Sequence, residues 1–422
     1  MDSNRELLTI RSDGIYHGLP VFPESLQGLT AIVTGANGIS GTYMLRVLCK
    51  APQRWTKIYA LSRRPPYLAL PPHVQHISMD FLQDPEILAR QFRENGIKAD
   101  YVFFFAYIQP QPAAGGSLCE LVRVNKALLT NFLEGLAGAS AIPRRTVLQL
   151  GAKYYGVHLG PVTVPQAESD ARVTREPNFY YDQEDVLSAF SAAHACAFAT
   201  TRPSWIPGAA PDAAMNLAYP LAVYASVQRR LGKPLVFPGD PTCWANLTVL
   251  SSAMLNAYLA EWAALTEGAR DQSFNAADGE PFTWARFWPR YAAHFGVAWE
   301  GPDTGPDAVF REEVVGTSPP PRGWGPAGMF RYKFKLVEWA RREEVVAAWG
   351  EIAAEHGLRN RDLGNVDRVF GFADAALLTS WPSMYSNTKL RKLGFFGFVD
   401  STESMCSVFD EFVGLKMVPG TL

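Results

Sequence analysis

Residues 29–41 read Leu29-Thr-Ala-Ile-Val-Thr-Gly35-Ala-Asn-Gly38-Ile-Ser-Gly41. A short apolar run ending at a glycine is the pattern of a buried strand, and the apolar periodicity that continues through Leu48 is that of a helix. Between them Gly35, Gly38 and Gly41 form a GxxGxxG turn. Glycines let such a turn close and let backbone approach a pyrophosphate, while the helix N-terminus offers amide donors and partial positive charge. In this strand-turn-helix setting the pattern predicts a dinucleotide site rather than a plain tight turn.

The alternation continues outward from that stretch. Lys57 to Ser62, Val74 to Met79, Tyr101 to Ala106, Thr146 to Leu150 and Phe198 to Thr201 read as strands, with helices over Pro85–Asn95 and 117–137. The aromatic run at Tyr101 to Ala106 suits a strand covered on both faces. Together these predict an α/β fold with a doubly wound parallel sheet of Rossmann type over residues 28–208. Beyond residue 208 helical patterns dominate, at 212–231, 249–266, 281–295, 332–356 and 366–379, separated in places by Gly/Pro-rich loops at 301–306 and 316–328. Residues 209–422 therefore read as a mostly helical substrate-binding cap, leaving a cleft at the carboxyl ends of the strands.

The end of the second strand selects the nucleotide. An acidic residue there would bind the ribose 2′-hydroxyl of NAD, but the chain offers Ser62-Arg63-Arg64. Two guanidiniums suit a 2′-phosphate and can stack on adenine, so NADPH/NADP is the expected cofactor. Asp80 and Phe81, ending the third strand, can flank the adenine.

Composition narrows the setting. Net charge is −2, with 48% hydrophobic and 19% charged residues, which gives no field to recruit nucleic acid or an anionic membrane. The five cysteines have no paired spacing and read as free thiols of a reducing compartment. No secretory leader and no membrane-length apolar stretch is recognisable, so a cytoplasmic enzyme is expected. The seven histidines show no clustered ligand spacing, and no metal site is expected.

Two further motifs carry chemistry: Leu-Gln-Leu-Gly-Ala-Lys-Tyr-Tyr-Gly at 148–156 and Asn-Phe-Tyr-Tyr-Asp-Gln-Glu-Asp at 178–185. Nucleotide-dependent reductases of the common type place a lysine four residues after the catalytic tyrosine; here that position after Tyr180 is Glu184, and the candidate lysine is Lys153, 27 residues upstream. Further on come Arg-Pro-Ser-Trp-Ile-Pro-Gly at 202–208, Leu-Val-Phe-Pro-Gly at 235–239 and Leu-Gly-Phe-Phe-Gly-Phe at 393–398. With these motifs the chain, over about residues 28–420, resembles the progesterone 5β-reductase/iridoid synthase-like (PRISE) family of atypical short-chain dehydrogenases/reductases. The resemblance implies an extended short-chain dehydrogenase fold and NADPH-dependent reduction of the activated C=C bond of enones and enals in secondary metabolism. It assigns Lys153 and Tyr180 as catalytic. It places Asn37, Gly38 and Ile39 in the pyrophosphate loop and Arg63 and Arg64 at the 2′-phosphate. Ala106, Gln149, Ile206, Ala213, Ala214 and Met215 match further cofactor-lining positions, and a homodimer is a family-level expectation. The aromatic run 103–107 and the loop 108–117 depart from the family pattern where substrate should sit, so no family substrate carries over.

Conjugate reduction delivers hydride to the β-carbon while negative charge grows on the carbonyl oxygen, which placed donors or cations stabilise. In this reading Tyr180 contacts that oxygen, Lys153 holds the nicotinamide ribose and lowers the Tyr180 pKa, and Phe104, Tyr107 and Trp205 line an apolar substrate pocket. Tyr181 competes with Tyr180, but adjacent helical residues point about 100° apart. Glu184 and Asp185 read as bracing the helix. Tyr385-Ser-Asn-Thr-Lys389 repeats the Tyr-x-x-x-Lys spacing far from the sheet-forming half and reads as coincidence. Carbonyl reduction on the same scaffold, and non-redox cyclisation with NADP as a structural element, remain as alternatives.

Overall fold

The computed structural model describes residues 9–110, 118–213 and 215–420. Its main sheet has seven parallel strands: β1 (Leu29–Thr34), β2 (Trp55–Ser62), β3 (Val74–Ser78), β4 (Tyr101–Phe104), β5 (Arg145–Gln149), β6 (Ala197–Pro203) and β7 (Gln272–Ala276). Their order is β7-β6-β5-β4-β1-β2-β3, so the chain reverses direction across the sheet between β1 and β4. Doubly wound sheets open their ligand crevice at that switch point, and Gly35 follows β1 directly into it.

Strand alternation divides the side chains between two cores. One face gives Val33, Phe103, Val147 and Ala199 to a core with Tyr43 and Leu48 of α1 (Ile39–Cys49). The other gives Ile32, Val102, Phe104 and Leu148 to a core shared with Leu88 of α2 (Pro85–Glu94), Phe132 of α3 (Leu118–Gly138) and Leu187 of α4 (Phe179–His194). A third core holds the C-terminal helices together. There α5 (Ala218–Leu231) buries Tyr224 against Trp288, Trp349, Phe370 and Phe409.

The sheet does not end at residue 208. Its edge strand β7 comes from the stretch expected to be cap, and α6 (Ala253–Leu265) packs Tyr258 and Trp262 into the core beside α1. Arg145 of β5 ties this helix down, donating to the carbonyls of Ala263 (2.8 Å) and Thr266 (2.6 Å) at its C-terminal end. The pattern at 332–356 is also not one helix: Gly328–Tyr332 pairs as a strand with Arg311–Val315, and helices cover Leu336–Ala340 and Glu343–His356. Among the described residues no helix is long and apolar enough to cross a membrane.

Candidate active site

The glycine turn is dictated by contact. Gly35 has φ +61°, and a Cβ there would lie 2.8 Å from the Phe105 carbonyl oxygen; a Cβ on Gly41 would lie 2.3 Å from the carbonyl oxygen of Gly35. Gly38 is different: its Cβ would meet only the Gly35 oxygen at 3.4 Å, so its bareness faces outward. Gly38 caps α1 without any side-chain hydrogen bond, leaving the first-turn amides for an anion. Ile39 is buried under the loop, and Asn37 stays half-buried at its rim. Gln149 ends β5 and donates to Ser40 Oγ over 2.9 Å, linking the end of the sheet to this first turn.

Gly35, Asn37, Arg63, Asp80, Phe81, Ala106 and Tyr107 border one cleft. Such a cradle, with uncapped amides at one end and a guanidinium at the other, fits a phosphate-bearing dinucleotide. Arg63 makes no ion pair among the described residues, whereas Arg64 is held 2.9 Å from Asp212, which Arg368 also contacts at 2.9 Å. Asp80 folds its carboxylate back on the amide of Leu82. Phe81 borders the cleft although its ring is buried against Phe132 and Phe104. A larger cavity of about 350 Å3, lined by Arg11, Asp13, Lys50, Arg54 and Glu261, lies at the amino ends of the strands, and its charges pair with one another.

Asn178 brings the two chemical motifs together. Its side chain caps α4 by accepting from the Tyr180 amide (3.1 Å) and donates to the main-chain carbonyl of Lys153 (3.0 Å). Tyr180 then extends over Gly151, where a Cβ would sit 2.5 Å from the phenol oxygen; glycine is what admits the ring. Among the described residues the Tyr180 hydroxyl makes no hydrogen bond. Burial, then the nearby Tyr107, pushes its pKa above the usual tyrosine range. The lowering by Lys153 expected from the sequence is not what this geometry gives. The Lys153 ammonium is solvent-reachable yet surrounded by protein; desolvation depresses its pKa, partly opposed by Glu176. Glu176 in turn sits 2.5 Å from His158 Nε2.

Tyr181 turns inward, donating to the carbonyl of Tyr154 (2.5 Å) and accepting from the Val173 amide (2.8 Å). Glu184 occupies the place of the usual lysine and does brace the fold. It accepts from Tyr154 (2.9 Å), Arg172 (2.7 Å) and the buried Arg202 (3.1 Å), whose guanidinium lies 3.4 Å from the Tyr154 ring centroid. A lysine here would face the guanidiniums of Arg172 and Arg202.

The substrate residues separate. Phe104 is 1% exposed between Phe81 and Phe132, so its assignment to the pocket is overturned: both faces of β4 are covered, and Val102, Phe103 and Phe104 are all core. Tyr107, past the strand end, lies beside Phe179 with its pKa raised to about 12 by burial. Trp205 leans toward the cap, edge-on to Phe372 with centroids 4.9 Å apart. Ile206 and Ala213 are partly buried on the α1 side, and Met215 is exposed. Ala214 and residues 111–117 of the distinctive loop lie outside the described residues.

Two features of this region are not readable in the sequence. Asn178 reads only as a helix start. Tyr385 is not remote: it is buried in the core shared by Tyr154, Tyr155 and Tyr181, its ring 5.8 Å from that of Tyr155. Its would-be partner Lys389 turns away to the carbonyl of Ser273 (3.0 Å), so the Tyr-x-x-x-Lys spacing is indeed no dyad.

A parallel sheet in this order, a glycine turn at its switch point and a tyrosine and lysine at the end of β5 define a Rossmann-fold oxidoreductase of short-chain dehydrogenase/reductase type. The family model of the PRISE-like Rossmann-fold domain matches residues 31–316, and the chain belongs to that family. It is 28% identical to a short chain dehydrogenase of Penicillium aethiopicum, covering 92% of this chain and 99% of that one. It is 27% identical to a 3-oxo-Delta(4,5)-steroid 5-beta-reductase of Arabidopsis thaliana (92% and 93% covered) and to an (S)-8-oxocitronellyl enol synthase of Catharanthus roseus (92% of each). In fold it is similar to a dTDP-glucose 4,6-dehydratase of Streptomyces venezuelae, with TM-score 0.54 at 14% identity over 92% of this chain and 97% of that one.

Proposed function

We propose that the protein reduces the activated C=C bond of an apolar α,β-unsaturated carbonyl compound with NADPH. One observation carries this reading: the Tyr180 hydroxyl projects over Gly151 without a protein partner among the described residues, beside a lysine segment fixed by Asn178. The names of the plant relatives, a steroid 5-beta-reductase and an enol synthase, support it.

Bound NADPH would supply the hydride to the β-carbon of the substrate. The π electrons then move to the carbonyl oxygen, and a proton from solvent on the α-carbon completes the saturated product. The chain's task is to hold that oxygen. Tyr180, kept protonated by burial, donates a hydrogen bond to it, and Lys153, on the segment that Asn178 ties to the helix of Tyr180, contributes positive charge. Arg63 would hold the 2′-phosphate and the α1 amides the pyrophosphate.

NADPH oxidation with a panel of enones and saturated ketones, with product analysis, tests this. A saturated carbonyl product is expected. An alcohol product would move the reading to carbonyl reduction, and a ring-closed product with NADPH unspent to a non-redox role. Tyr180→Phe is expected to lower kcat by roughly 100-fold, in line with loss of one oxyanion donor, with NADPH affinity unchanged.

A further inference from the structure

Four tyrosines besides Tyr180 crowd the space behind the site, and three of them are satisfied. Tyr154 donates to Glu184, Tyr155 to Asn275 (2.6 Å) and Tyr181 to the carbonyl of Tyr154. The fourth is Tyr385. The residue is 6% exposed, and among the described residues its hydroxyl has no hydrogen-bond partner. A buried hydroxyl left unpaired loses its water without replacement, so such a group is normally either paired or awaiting a ligand.

Its surroundings say which. Residue 385 is held by a bridge to Gln166, with Gln166 N donating to the Met384 carbonyl (2.7 Å) and Ser386 N to that of Gln166 (2.8 Å). This clamps the ring against Tyr155, at the carboxyl end of β5. Ser204, the first residue after β6, approaches the Tyr385 hydroxyl without hydrogen-bond geometry, and the Tyr180 phenol lies within electrostatic reach. Ligands bind on the carboxyl-end side of the strands in this fold, the side to which the turns after β5 and β6 belong. Two phenols without protein partners among the described residues thus stand over the turn that follows β5, Tyr180 above Gly151 and Tyr385 against Tyr155.

We propose that Tyr385 is a second hydrogen-bond donor to the carbonyl oxygen of the substrate, sharing with Tyr180 the negative charge that develops there. The proposal rests on the enone reading above. Burial and the neighbouring Tyr155 and Tyr180 keep the Tyr385 phenol protonated through the physiological range, as a donor must be. The reaction then needs no cation in direct contact with the oxygen. That agrees with a Lys153 ammonium that has no hydrogen bond to Tyr180 among the described residues.

Tyr385→Phe tests it on the full chain, with four readouts: unfolding in urea, NADPH affinity, kcat on an enone, and binding of p-nitrophenol to the NADP-loaded protein as an oxyanion mimic. The variant is expected to be as stable as the wild type or more so, because it deletes an unpaired hydroxyl. It should bind NADPH within two-fold of wild type, lose roughly 10-fold or more in kcat and bind the phenol probe several-fold more weakly. Loss of stability with kcat and probe affinity unchanged would make the hydroxyl structural and overturn the proposal. If Tyr180→Phe loses activity while Tyr385→Phe keeps it, the enone reading stands and the second donor falls. If wild type reduces no enone but the probe still binds more weakly to Tyr385→Phe, the donor stands and the enone reading falls.

Discussion

The side-chain amide of Asn178 donates to the main-chain carbonyl of Lys153 over 3.0 Å. One side chain thereby caps the helix that carries Tyr180 and fixes the turn that carries the lysine. Asn178→Ala should cost about 1 kcal/mol of stability through the lost cap. It should lower kcat by a larger factor than the same loss of stability at a distant cap, Asp84→Ala, which gives the control. Equal kcat in the two variants would separate Asn178 from the site.

Gly151 has extended backbone, so its identity is set by the phenol that occupies the place of a Cβ rather than by strain. Gly151→Ala should leave folding and NADPH binding intact and reduce kcat by roughly 10- to 100-fold, because small displacements of a reacting geometry are costly. Steady-state kinetics with a parallel cofactor titration checks this.

The two arginines after β2 should not be equivalent. Arg63→Ala is expected to weaken NADPH by roughly 10-fold and leave NADH unaffected, as fits the loss of a charge-assisted phosphate contact. Arg64→Ala should do less, since Asp212 already neutralises that guanidinium. Asp212→Asn, which releases both Arg64 and Arg368, should tighten NADPH. Fluorescence titration with both nucleotides distinguishes these outcomes.

Lys153 titrates below the ordinary lysine range, chiefly through desolvation, while the Glu176 carboxylate favours its charged form. If the charged ammonium is needed, kcat/KM falls as pH rises through that lowered pKa, on the alkaline side and below 10.5. Glu176→Gln removes an influence that raises the pKa, so the alkaline limb should move to still lower pH. A limb that stays in place would detach Glu176 from Lys153.

Glu184→Gln should destabilise the protein by about 3–5 kcal/mol, the usual cost of stranding a buried partner, here Arg202. Urea unfolding measures it.

Much of this architecture is legible in the sequence. The glycine turn, the first six strands and the two rearranged motifs are local patterns, carried by periodicity and by residues in fixed register. Strand β7 is not legible, because Gln-Ser-Phe-Asn-Ala has a single large apolar residue. It is an edge strand whose buried Asn275 is satisfied by Tyr155 and by the main chain, so its polarity resembles a loop. Phe104 misleads because an aromatic at a strand end looks the same whether it faces a helix or a ligand. Tyr385 sits more than 200 residues from its neighbours Tyr155 and Tyr180 in the chain, a proximity that no periodicity encodes.

Because β7 closes the edge of β6 and α6 covers one face, the nucleotide-binding half is finished only once residue 276 has been synthesised. A nascent chain paused at residue 208 would expose a bare strand edge and leave the Arg145 guanidinium without its helical carbonyls. Fragments cut at that point should aggregate rather than bind nucleotide. Fusions or split versions of the protein are better divided in the exposed Gly/Pro-rich stretch near residue 305 than at the visible change of sequence rhythm.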